Sequence, residues 1–193
     1  MTGPRILACC AASSLLSCAG AALADEAYDP FIGTYVGSAE AVGPGTDATQ
    51  VRDLDVIIKR TDDGFGIESI TVNHQGDRMD PSVSRRSSAM SFTESDIDGV
   101  YQRDFARDVF ATRNDMEIVN GDPLQWAQVI GDSLLVYSFV LNDDGSYELH
   151  TYRRTLDETG LGLEFVSELN GTANREVVGQ LIRVEDVMDD LNP

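Results

Sequence analysis

The residues best placed to do chemistry lie at the end of "SLLVYSFVLNDDGSYELHTYRRTL", residues 133–156. Two strands meet there around Asn142-Asp143-Asp144-Gly145. Reading the second strand with Leu149 and Thr151 inward puts Arg153 on the inner face, next to Tyr152. A guanidinium inside a fold is costly unless it meets a carboxylate or another anion, so Arg153 is a candidate anion ligand. Two alternatives stay open at this stage. Arg153 can sit at the strand end with its head in water, or a bulge can turn Arg154 inward in its place.

Other constellations carry less. Glu94, Asp96, Asp98 and Gly99 imitate the start of a calcium loop, but the twelfth position is Phe105 where a bidentate glutamate is needed. An acidic surface loop is expected, and no metal. His74 and His150 are the only histidines, and no other histidine or cysteine lies near either one. There is no G-x-S-x-G elbow to present a serine nucleophile. No catalytic residue is assigned, no cofactor is expected, and a non-enzymatic role is the reading carried forward.

The first 24 residues read as an address. Arg5 is the basic end, Ile6–Leu16 the apolar run and Ala22-Leu23-Ala24 a small-residue cleavage site, so the mature chain is expected to start at Asp25 in the periplasm. Leu15-Leu16-Ser17-Cys18 offers the alternative of a lipoprotein anchored at Cys18. All three cysteines, Cys9, Cys10 and Cys18, fall in this segment, which leaves the remainder without disulfides or thiolate chemistry.

A net charge of −19 disfavours nucleic acid and anionic lipid as partners. Beyond the leader the length suits one domain, residues 25–184, followed by an acidic tail, 185–193. Strands are expected at 32–42, 51–60, 65–74, 124–130, 133–141, 146–155, 161–168 and 175–184, separated by turn signals. Leu54, Val56 and Ile58 alternate with Asp53, Asp55 and Lys59, giving one buried and one wet face. Residues 75–122 are harder to read. Ser84–Phe92 suggests a further strand, and Val100–Thr112 a strand or short helix. The sum is an all-β antiparallel meander of about 8–10 strands closed into a barrel that hides its edges. Charged outer faces argue against a membrane-spanning barrel.

Phe31-Ile32-Gly33-Thr34-Tyr35-Val36-Gly37 is similar to the opening motif of lipocalins, glycine, any residue, then tryptophan, with Tyr35 in the tryptophan position. Tyr152-Arg153 resembles the arginine placed late in calycin barrels (lipocalins and fatty-acid-binding proteins) near a tyrosine. The Trp126 strand and terminal meander also resemble uncharacterised exported proteins of alphaproteobacteria. The calycin resemblance implies a barrel that binds a small hydrophobic or amphipathic molecule. Arg153 and Tyr152 would meet its anionic head, and Tyr35, Trp126, Tyr137 and Phe165 would line the interior with Phe139 and Tyr147. The alternative is a protein-interaction module, an inhibitor or envelope assembly factor, on a filled barrel and acting through residues 75–122.

Overall fold

The computed structural model describes residues 26–42, 50–75, 82–105 and 118–184. The proposed leader, its cleavage site and the acidic tail lie outside them, as does part of the 75–122 segment. The strands are β1 Gly33–Val42, β2 Gln50–Thr61, β3 Gly64–Gln75, β4 Ser82–Glu94 and β5 Val100–Arg103. They continue with β6 Leu124–Ile130, β7 Ser133–Leu141, β8 Tyr147–Leu156, β9 Gly160–Leu169 and β10 Thr172–Val184. Each pairs antiparallel with the next, and β1 pairs with β10, so the ten strands form a closed meander barrel.

Local chemistry explains the turns. Asn170 (φ 50°) and Gly171 (φ 76°) both take the left-handed conformation that a two-residue hairpin loop requires. The Asn170 side-chain oxygen also accepts the Tyr147 N–H at 3.0 Å. Gly145 has φ 81°, the positive value expected from its place in the β7–β8 turn. The strands of the N-terminal half follow hydropathy directly. Leu54, Val56 and Ile58 are buried, while Asp53 and Lys59 are exposed on the outer face.

Residues directly opposite in paired strands share a face, so the register fixes which side chains enter the barrel. At one end the interior is filled. Phe65 stacks on Phe92 at 5.4 Å and meets Tyr101 edge-on at 5.2 Å, and Tyr28 packs on Phe65 at 5.0 Å. Tyr28 and Phe31, from the segment before β1 and its 3₁₀ turn Asp29–Phe31, close this end. The segment is pinned twice. Tyr35 donates its hydroxyl to the Phe31 carbonyl at 2.8 Å, and Arg183 donates to the carbonyls of Pro30 at 2.9 Å and Ile32 at 2.6 Å while lying over the Tyr35 ring. Asp29 pairs with Arg60, whose guanidinium also covers Tyr28.

Burial pushes the Tyr101 phenol up to about 12, helped by the carboxylates of Glu26, Glu94 and Asp29 and by Tyr28; Tyr28 and Tyr35 are raised as well, first by burial. A phenol whose folded pKa is raised stabilises the fold fully below its unfolded value near 10, and that contribution disappears as pH rises through the folded value. Urea midpoints should therefore hold up to about pH 10 and fall between about pH 10 and 12. Tyr101→Phe should flatten that fall.

The wall is thinnest at β5. It makes three residue pairs with β4 and three with β6, and among the described residues β4 has no strand partner on that side before Phe92. Arg103 spans this seam by donating to the carbonyls of Ser91 at 3.4 Å and Ala89 at 3.3 Å. Val100–Thr112 thus begins as a strand of four residues, and Ser84–Phe92 lies within β4.

Candidate functional site

Ten strands enclose a wider interior than eight, and among the described residues only one end of this barrel is plugged. Above the aromatic floor lies a cavity of about 520 Å³, within the range of small-molecule sites. Leu54, Val56, Met90, Val136, Leu163 and Val177 supply its apolar wall. Five arginines share it: Arg52, Arg86, Arg103, Arg154 and Arg175. A chain of net charge −19 with only 14 basic residues has turned five of them into one cavity.

Arg154 is the deepest and most confined. It is 3% exposed and stands opposite Leu134 and Leu163, where the cavity meets the packed core. Among the described residues its Nε and Nη1 have no hydrogen-bond partner, and the Tyr152 ring lies 5.9 Å from the guanidinium. Burial pulls its pKa down to about 10. A buried cation with unsatisfied N–H groups facing a cavity is held at a cost unless something anionic comes to it.

Among the described residues, the acidic group at the rim is Glu148. His150 Nε2 and the Ser167 hydroxyl both bond to Glu148 Oε1 at 2.8 Å, which holds the Glu148 carboxyl below its ordinary value. His150 meets the Phe165 ring edge-on at 5.5 Å, and Tyr152 tilts onto the same ring at 4.7 Å. Among the described residues, no group of three or more His, Cys, Asp or Glu is arranged to hold a metal ion.

The site differs from the one read in the sequence. Tyr152 and Phe165 line the cavity. Arg153 does not face it. Val136, Ser138, His150, Tyr152 and Arg154 line the cavity, so the intervening Arg153 points outward, 3.7 Å from Glu164 on β9. No bulge is involved, because β8 keeps continuous register with β7 and β9. Arg154 takes the place proposed for Arg153.

Trp126 and Tyr137 are also outside the barrel. They are register partners on the face opposite Ala127 and Val136, stacked at 4.9 Å. Phe139 and Tyr147 form a second outer stack at 5.6 Å. Ala127, 0% exposed, fills the inward position where Trp126 was expected to contribute. Tyr35 is inside but fully buried in the floor, below the cavity. His150 stands at the cavity rim. Four cavity arginines besides Arg154 were missed: Arg52, Arg86, Arg103 and Arg175. Arg52 had left a signal, since it shares the parity of Leu54, Val56 and Ile58 on β2.

No family model matches the chain, and no curated protein matches it in sequence. Among solved structures, the dehydratase domain from the CurF module of curacin polyketide synthase aligns over 80% of this chain and 77% of its own, with 9% identity and a TM-score of 0.20. A likeness that slight carries no argument about fold or function. No helix among the described residues is long and apolar enough to cross a membrane. The protein is a closed ten-stranded antiparallel barrel with an arginine-lined cavity.

Proposed function

We propose that this protein is an exported, non-enzymatic binding module that holds a small amphipathic molecule inside its barrel, with an anionic group on Arg154. The observation carrying the reading is the buried Arg154, whose Nε and Nη1 find no acceptor among the described residues, at the base of a cavity whose other wall is apolar. An anion there would supply the missing acceptors, and charge-assisted bonds of this kind are the strong ones. The apolar wall takes the rest of the molecule. The calycin resemblance places the head-group arginine at Arg153, which lies outside the cavity, so the reading rests on Arg154 and the cavity alone. Export rests on Arg5, the apolar run and the site after Ala24, with anchoring at Cys18 as the alternative.

Native mass spectrometry of the protein recovered from a bacterial periplasm tests both parts. A denatured mass starting at Asp25 supports export and cleavage. A non-covalent adduct lost on denaturation, and lost again in Arg154→Gln, supports the ligand. Recovery of the uncleaved chain from the cytoplasm alone counts against export, and an adduct retained by Arg154→Gln counts against the head-group assignment.

A second reading, a protein-interaction module, is favoured by the stacked pairs Trp126–Tyr137 and Phe139–Tyr147 on the outer wall, since aromatic residues outside a barrel suit a protein contact. That surface belongs to β6–β8 rather than to residues 75–122.

A further inference from the structure

The outer wall of β6, β7 and β8 is unlike the rest of the barrel surface. Alternation along the strands turns Leu124 and Trp126 of β6, Tyr137 and Phe139 of β7, and Tyr147 and Leu149 of β8 outward. Register sets them side by side, with Trp126 opposite Tyr137 and Phe139 between Leu124 and Leu149. Two ring stacks tie the patch together, and all six side chains keep part of their surface in water. The 3₁₀ turn Ile118–Asn120 packs beside the Leu141 end of β7 and brings Val119, 82% exposed, to the same region.

Charge sets this face apart too. Outward positions on β1, β2, β9 and β10 carry Glu40, Asp53, Asp55, Glu164, Glu168 and Glu176. Among the described residues, no outward position of β6, β7 or β8 carries a carboxylate. The charge on their outer face is Arg153, 3.7 Å from Glu164. In a chain of net charge −19, a face rich in aromatic rings and free of carboxylates has the composition of an interface centre. Carboxylates return at its border. Glu168 on β9 stands opposite Leu149, and Glu164 opposite Arg153. Asp143 and Asp144 lie exposed in the β7–β8 turn, and Asp132 in the β6–β7 turn. A second copy would lay this acidic border against its own equivalent, and anionic lipid meets the same repulsion.

From the uncharged aromatic centre and its acidic border we infer that this wall docks a protein partner whose own apolar face is edged by lysine or arginine. The aromatic pairs supply the affinity, since tryptophan and tyrosine dominate the energetics of such contacts. The border supplies orientation and a faster encounter with a basic surface. The inference deepens the protein-interaction reading given above and rests on it, naming the chemistry of the partner. It stands apart from the cavity, because none of the six aromatic and leucine side chains lines it.

Trp126 is the only tryptophan of the chain, so its emission reports on this face alone. The probes are three synthetic helical peptides of equal length, built from leucine and lysine, leucine and glutamine, or serine and lysine. The leucine–lysine peptide should shift Trp126 emission to the blue and bind at least about tenfold more tightly than either control. Phe139→Ser should weaken it by about tenfold, as loss of a central aromatic contact does. Glu164→Gln/Glu168→Gln should weaken it by about threefold, whereas Glu40→Gln/Asp55→Asn, the same charge change on the far side of the barrel, should not. These exposed substitutions keep the test sound if Phe139→Ser fails to fold. Equal affinity for the serine–lysine peptide, or equal losses in the two charge variants, overturns the docking face in favour of general attraction to an acidic protein. Equal affinity for the leucine–glutamine peptide removes the basic edge and leaves the protein-interaction reading standing. A doubled mass of the protein alone, abolished by Phe139→Ser, gives the face to a second copy. A blue shift with phosphatidylcholine vesicles and none with peptide gives it to lipid. Either result overturns the basic partner. If no probe moves the Trp126 emission, this inference and the protein-interaction reading fall together, and the cavity reading is untouched.

Discussion

Arg154→Met is expected to make the empty barrel more stable and the binding site useless. Arg154 is 3% exposed and its Nε and Nη1 are unsatisfied among the described residues, so its removal relieves a desolvation penalty that none of those residues offsets. Methionine has a similar length and adapts to irregular space. A gain of about 1–3 kcal/mol is anticipated, the range found when buried charged groups give way to apolar ones. The same change should cost an anionic amphiphile at least tenfold in affinity, roughly one charge-assisted hydrogen bond. Urea unfolding and calorimetric titration on one preparation measure the two together. Stability and affinity moving in opposite directions is the signature of a residue kept for binding. A destabilised variant would mean that Arg154 is satisfied inside the protein, and would remove the basis of the proposed head-group site.

The opposite expectation holds at the floor. Phe65 is fully buried and touches Tyr28, Phe92 and Tyr101, so Phe65→Ala should cost about 3–5 kcal/mol. That is a large share of the stability of a domain this size, typically 5–15 kcal/mol. Phe65 is not part of the cavity wall, so affinity per folded molecule should change far less than stability does. The urea midpoint reports the loss. A drop below about 1 kcal/mol would mean that the neighbouring rings collapse into the space. The two variants together separate an end built to hold the barrel from an end built to hold a molecule.

That division explains what could be read from the sequence. Near the floor, and along β2, the interior is apolar and the exterior charged, so Leu54, Val56 and Ile58 declare their face and the strand bounds follow. Turn chemistry at Gly145 and at Asn170-Gly171 was equally legible, because positive φ has few possible residues. On β8 the contrast is lost. Its outer face carries Tyr147, Leu149 and Thr151, and its inner face Glu148, His150 and Tyr152. Hydropathy then points the wrong way, to Arg153 rather than Arg154. A shift of one residue reverses every side chain on a strand, so Trp126 and Tyr137 were misplaced by the same ambiguity on β6 and β7. The convergence of arginines from β2, β4, β5, β8 and β10 depends on pairing between distant segments, which no local pattern contains. Only Arg52, standing in line with an apolar face, hinted at it.

The −19 charge of the chain and the five arginines of its cavity set two fields against each other. An approaching anion meets repulsion at long range and attraction only once it is within the rim. Added salt shortens the reach of the outer field to about a Debye length, 10 Å at 0.1 M, so association should quicken as ionic strength rises. The contacts inside are partly buried and far less screened, so dissociation should respond weakly. Most anionic ligands bind more slowly in salt; this barrel should admit its own faster, and in dilute solution it is slow both to load and to release.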